Sequence, residues 1–132
     1  MAKRSDRKRA VLEADKWFSR YIRARDDYTC TTCGLRGQPA DGVMQCGHVV
    51  TRAKYSTRWD EQNAVCQCRS CNMRHEYQPE ILTLCYIQMC GSEAYERLVT
   101  RSNVVVKFAT SDIREIASRY KTMAMEAENE YA

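Results

Sequence analysis

Apolar residues first fall into a helical rhythm at Val11, Leu12, Trp17, Phe18, Tyr21 and Ile22, predicting an amphipathic helix from Asp6 to Arg25. Its aromatic residues could stack on bases, but a stripe at this period more often builds a core, and we assign it there. Gly34, Gly37, Pro39 and Asp41-Gly42 then break the pattern into turns. Val43–Gln45 and Val49–Val50 read as two short strands of a hairpin, with Gly47 permitting a backbone geometry that aims His48. Arg52 to Gln62 reads as a polar loop. A short helix is predicted from Cys71-Asn72 towards Tyr77, ending before Pro79 because the residue preceding proline disfavours helical geometry. Ile81, Leu82, Leu84, Cys85, Ile87 and Met89 predict a largely buried helix closed by a left-handed cap at Gly91. Ser92 is then placed as the cap of a helix carrying Tyr95 and Leu98. Val104, Val105 and Val106 favour extended structure. Ile113, Ile116, Ala117, Tyr120 and Met123 predict a final amphipathic helix opened by Ser111 or Asp112, with Glu115 near its first turn.

These elements describe an α+β chain of 132 residues, a size suited to one domain with a modest core. It divides into a basic N-terminal helix (1–26), a central core (27–78) and a helical C-terminal extension (79–132). The formal charge is only +4, but basic residues are uneven. Lys3, Arg4, Arg7, Lys8 and Arg9 crowd the start, while Arg52, Lys54, Arg58, Arg69 and Arg74 lie in the centre. Such clusters can neutralise phosphates, and a solvated charged surface is the competing reading.

The chemistry concentrates between Cys30 and His75, which holds six of the eight cysteines and both histidines. The first ten residues show no apolar signal-peptide core, and no apolar run reaches the length of a membrane span. That sets the expectation of a cytoplasmic protein with reduced thiols rather than a disulfide scaffold. Cys30-x2-Cys33 and Cys68-x2-Cys71 have the spacing by which a tight turn presents two sulfurs to a tetrahedral Zn²⁺. Cys66-x-Cys68 is an alternative that would shift the set, and the part of Cys46 is open. Cys85 and Cys90 fall in an apolar segment and read as core residues. A thiol redox role is disfavoured because no thioredoxin-like βαβ pattern accompanies the pairs.

Between the two cysteine pairs lie Gly47-His48 and Asn63, and Asn72 follows the second pair. This order resembles the HNH (ββα-metal) nucleases. Further pieces, SRYIRARD at Ser19–Asp26, CTTCG at Cys30–Gly34, CGH at Cys46–His48, STRWDEQN at Ser56–Asn63 and QCRSCN at Gln67–Asn72, resemble the phage NinG/Rap family of recombination nucleases. The resemblance implies a zinc-stapled HNH core over 27–78. It also implies a phage protein of the host cytoplasm that binds and cuts branched DNA, such as Holliday junctions or D-loops.

Phosphodiester hydrolysis needs a base to activate water and a cation to neutralise phosphate charge. On the HNH pattern His48 is the base, its competing reading being a structural histidine. Asn72 binds Mg²⁺ (or Mn²⁺) through its amide oxygen, its competing reading being a helix cap. Asn63 holds the loop through backbone hydrogen bonds and so orients His48. Many HNH members carry Asp or His directly before the base as a second metal ligand, and here that position is Gly47. Asn72 then acts alone, or Asp41, His75 or Glu76 supplies the second ligand; Glu76 shares a helical face with Asn72. Arg52, Arg58, Arg74, Lys8 and Arg9 are the candidate DNA contacts. Two symmetric cuts in a four-way junction need two active sites, so a homodimer is expected, with the helices after Pro79 and at Ile113–Met123 as candidate interfaces. The rival of a different class is a noncatalytic zinc module that binds DNA and recruits recombination partners, which would not require His48.

Overall fold

A computed structural model describes residues 5–39 and 41–131; Lys3 and Arg4 of the basic cluster lie outside them. Helix α1 (Asp6–Arg25) begins where the Ser5 side chain accepts the Lys8 backbone N–H at 3.1 Å, and Arg23 and Arg25 sit at its carbonyl end. Its apolar stripe is buried: Ala10, Val11, Ala14, Trp17, Phe18 and Ile22 pack on Ile113, Ile116, Ala117, Tyr120 and Ala124 of α6 (Thr110–Tyr131). Asp6 pairs with Arg114 and Arg20 pairs with Glu128, both across 108 residues, so the two helices run parallel. Each large apolar side chain buried here stabilises the fold by roughly 1.5–3 kcal/mol, whereas an isolated pair of strands is marginal in water. This helix pair is therefore the scaffold on which the smaller elements sit.

The sheet has two antiparallel strands, β1 (Met44–His48) and β2 (Ala64–Cys68), with His48 opposite Ala64 and Met44 opposite Cys68. This corrects the expected hairpin of Val43–Gln45 with Val49–Val50. The Val49 N–H bonds the Asn63 carbonyl at 2.9 Å and the Val50 N–H bonds the Asn63 side chain at 2.7 Å, so those two residues serve Asn63 rather than a neighbouring strand. The stretch expected as a polar loop contains α2 (Tyr55–Arg58) and a 3₁₀ turn at Glu61–Asn63, nucleated by the Asp60 side chain accepting the Gln62 N–H at 2.9 Å. Helix α3 (Arg69–His75) follows β2 without a loop and starts two residues ahead of expectation.

Helix α4 (Pro79–Cys90) is much less buried than expected: only Leu82 and Tyr86 are enclosed, against Val49, Val65 and Leu98, while Leu84 and Met89 are exposed. Cys90 is exposed and Cys85 half-buried, its thiol 3.5 Å from the Thr31 carbonyl, so neither is the core residue expected. Gly91 separates α4 from α5 (Ser92–Ser102) at φ 92°, outside the left-handed helical well, and itself occupies the cap position expected for Ser92. Val104–Val106 form no strand. At the start of α6 the Asp112 carboxylate reaches back to the Ala109 N–H at 2.8 Å, so Asp112 rather than Ser111 fixes that end.

Candidate metal centre and catalytic cleft

Each cysteine pair is shaped by its own turn. In the first, the Cys30 N–H bonds the Leu35 carbonyl at 2.8 Å and the Gly34 N–H bonds the Cys30 carbonyl at 2.9 Å, with Gly34 at φ 79° completing the reversal. In the second, Cys68 ends β2 and caps α3. The second cysteine of each pair directs its backbone N–H at the first one's sulfur, Cys33 to Cys30 and Cys71 to Cys68, both at 3.5 Å. The four sulfurs converge within 4.8 Å of one another, positioned to hold one metal ion. Four sulfurs about 2.3 Å from one tetrahedral ion are about 3.8 Å apart, and Cys33 Sγ and Cys68 Sγ lie 3.8 Å apart. The donor set therefore fits zinc. Burial raises the Cys30 thiol, but backbone hydrogen bonds at Cys68, Cys33 and Thr32 outweigh it and bring it down to about 7. Burial and the crowding sulfurs push Cys71 well up, a charge conflict that a dication removes.

Cys66 stands outside this set. It is fully buried, its N–H bonds the Asp26 carboxylate at 2.9 Å, and burial followed by the nearby Asp26 charge pushes its thiol up to about 12. Burial pushes Cys46 to about 12 as well. Cys66 is thus an inert core thiol, whereas Cys46 is half-buried and lines the cleft described next.

A cleft of about 740 Å³ opens between α1, β1 and α3, and among its lining residues are His48, Asn72, His75, Glu76, Arg52, Asp15 and Arg23. His48 ends β1. Its Nε2 lies 2.9 Å from the Arg58 carbonyl, and a carbonyl can only accept, so Nε2 carries the proton and Nδ1 keeps its lone pair. Burial pushes the imidazole down to about 4, against the opposing pull of the Arg58 carbonyl, so the ring is neutral at pH 7. The fixed tautomer leaves Nδ1 as the nitrogen able to accept a proton, and the lowered value makes it a weaker base than a free imidazole.

The Arg58 carbonyl is itself anchored. The Arg58 guanidinium grips Asp15 of α1 through two bonds of 3.0 and 2.6 Å and donates to the Arg52 carbonyl at 3.0 Å, while Trp59 Nε1 also donates to Asp15 at 3.0 Å. Asn63 is fully buried. Its Oδ1 accepts the Val50 N–H, and its Nδ2 donates to the carbonyls of Val50 at 3.0 Å and Thr57 at 2.9 Å. Arg25 holds the far end of the same loop through the carbonyls of Glu61 and Ala64, each at 2.8 Å.

Asn72 is not a helix cap. Its Nδ2 donates to Gln45 Oε1 at 2.8 Å, leaving Oδ1 without a partner among the described residues. Glu76 lines the cleft one helical turn on, whereas Asp41 caps a turn by accepting the N–H groups of Gln38 and Val43 and does not line it. His75 donates from Nε2 to the His48 carbonyl at 2.8 Å, tying α3 to the end of β1.

Of the candidate DNA contacts, Arg52 lines the cleft and is exposed, with a loose 3.7 Å pairing to Asp15. Arg58 is engaged within the protein. Arg74 is exposed on α3, and Lys8 and Arg9 are exposed on the first turns of α1, with Arg9 beside Asp6 at 3.4 Å. Sequence reasoning missed Asp15, Arg23 and Gln45. Arg23 and Asp15 lie between the apolar positions of α1, and helical spacing alone cannot show that this side faces a cleft. Gln45 had no motif to mark it.

No helix among the described residues is long and apolar enough to cross a membrane. The chain matches no curated protein and no solved structure. A family model described as Bacteriophage Lambda NinG protein matches residues 2–130, nearly the whole length. The cysteine quartet and the cleft beside it are thus carried by a chain that belongs to the NinG family.

Proposed function

We propose that the protein is a structure-specific DNA endonuclease of the HNH (ββα-metal) type, hydrolysing phosphodiester bonds in branched DNA, of the Holliday-junction or D-loop kind, during phage recombination. The observation that carries this reading is the fixed His48 tautomer, which leaves Nδ1 unprotonated on a residue lining the same cleft as Asn72. Zn²⁺ on Cys30, Cys33, Cys68 and Cys71 is structural, joining the turn after α1 to the β2–α3 junction. Asn72 Oδ1, with Glu76 beside it, would hold Mg²⁺ or Mn²⁺, which would supply charge neutralisation at the scissile phosphate and leaving oxygen. His48 Nδ1 takes the proton of the attacking water, and the Arg58 carbonyl stabilises the imidazolium so formed through Nε2–H. Asn63 and the Asp15–Arg58 pair are positioning residues that hold that carbonyl. Arg23 and Arg52 neutralise the phosphate entering the cleft, and Arg74, Lys8 and Arg9 extend the basic track. Two symmetric cuts need a homodimer; α6 is occupied by α1, so the exposed face of α4 is the interface we favour.

The test is cleavage of linear, forked and four-way DNA by wild type, His48→Ala and Asn72→Ala, with and without Mg²⁺. Both variants should retain zinc content and junction affinity, and the His48 variant should lose about 10²- to 10⁴-fold in rate, the usual worth of a positioned general base. Wild-type rates for His48→Ala, or a loss that tracks lost zinc or lost binding, would transfer the function to a noncatalytic DNA-binding module.

A further inference from the structure

The connection between α5 and α6 exposes Val104, Val105 and Val106, 58, 86 and 38 % accessible respectively. A run of three exposed apolar side chains is disfavoured unless something binds it. The run is also held at both ends. On one side Ser56 Oγ donates to the Ser102 carbonyl at 3.0 Å and Lys54 Nζ donates to Asn103 Oδ1. On the other, Phe108 packs edge-on against Trp59 with ring centres 5.7 Å apart, and its carbonyl accepts from Arg7 Nη1 at 2.7 Å. The tip is thus an anchored apolar arch.

Its surroundings are cationic. Lys54, Lys107 and Arg7 are exposed around it, Asp112 is engaged by the Ala109 N–H, and Asp60 is engaged by Arg101 at 3.0 Å. Lys54 lies two residues from Arg52, which lines the catalytic cleft, so the basic rim continues from cleft to arch.

We propose that Val104–Val106 is the contact by which this protein selects branched DNA, packing on base faces exposed where strands exchange. The inference rests on the DNA endonuclease reading and names its specificity element. Packing an apolar side chain against bases within a continuous duplex first requires unstacking a step. At a branch point the stack is already interrupted, so the same contact forms there without that cost and discriminates branch from duplex. Lys54, Lys107 and Arg7 neutralise the flanking phosphates. A second copy of the chain is the less favoured occupant, because two arches meeting would bring like charges together.

The test compares wild type with the triple variant Val104→Ser, Val105→Ser, Val106→Ser, whose changes are on the surface and spare the core. Affinities are measured for a four-way junction and an equally long linear duplex, with Ca²⁺ replacing Mg²⁺ to prevent cleavage. Fluorescence of 2-aminopurine at the branch and sedimentation complete the set. The expected result is a roughly tenfold loss of junction affinity with duplex affinity kept within about twofold, and loss of the wild-type fluorescence change. A variant that keeps its junction preference overturns the inference and leaves the endonuclease reading intact, as does an equal loss on both DNAs. Wild type that binds no DNA, or binds junction no better than duplex, overturns both. A variant that turns from dimer to monomer while the fluorescence change persists reassigns the arch to a contact between copies.

Discussion

Gly47 shows how one residue's meaning depends on its neighbour across the sheet. It takes ordinary strand geometry rather than a left-handed conformation, so the expected backbone freedom is not its reason. A Cβ there would meet Gln67 Oε1 at 2.0 Å, and Gln67 is buried. Position 47 is therefore closed by Gln67, and any side chain there must displace it. Gly47→Ala should cost about 1–3 kcal/mol by overpacking, and the added change Gln67→Ala should recover most of it, as denaturant titration would show. His48 makes a second residue-level prediction. Its folded value of about 4 lies below the unfolded value of about 6.5, so between them the unfolded chain binds a proton that the folded one does not. Stability should then fall as pH drops from about 6.5 towards 4 and be indifferent to His48 above that window, a dependence that His48→Gln removes in thermal melts. His48 and Asn72 were visible in the sequence because a motif marked them, whereas the Gly47–Gln67 contact was not, since cross-strand register cannot be read from either strand alone.

Elements differ in how much of themselves they announce. Helix α1 is legible to its ends because its stripe repeats through a 20-residue helix. Strand β2 was missed because all five residues are buried, leaving no polar–apolar alternation, and its partner lies beyond the 49–63 connection. The two cysteine turns were legible as spacing, and their convergence follows from β2 carrying Cys68 beside the turn at Cys30. Removing the metal from this junction should uncouple α3 from the first turn and with it Asn72 from His48. Chelation is expected to release one zinc per chain, expose four reactive thiols and loosen the two cysteine turns, while Cys66, held in β2, resists alkylation until global unfolding; thiol titration with metal analysis measures both.

For the whole molecule, the surface left over after folding matters as much as the core. The stripe at Ile113–Met123 faces α1, so an assembly of two copies must use something else, and Leu84 and Met89 on α4 are 64 and 59 % exposed. Leu84→Asp should yield a monomer by sedimentation that nicks junctions singly instead of cutting them in pairs; a dimer that persists would move the interface elsewhere. The parallel pairing of α1 with α6 has a different consequence, for the order of events at the ribosome. Residues paired between α1 and α6 lie 108 apart in sequence, and α6 is the last element described, so until it emerges Trp17 and Phe18 have no cover from that side. Contacts that distant in sequence close late. The cysteine turns, by contrast, lie close enough together to meet while α6 is still being made, so a nascent chain would hold its metal before it buries its largest core.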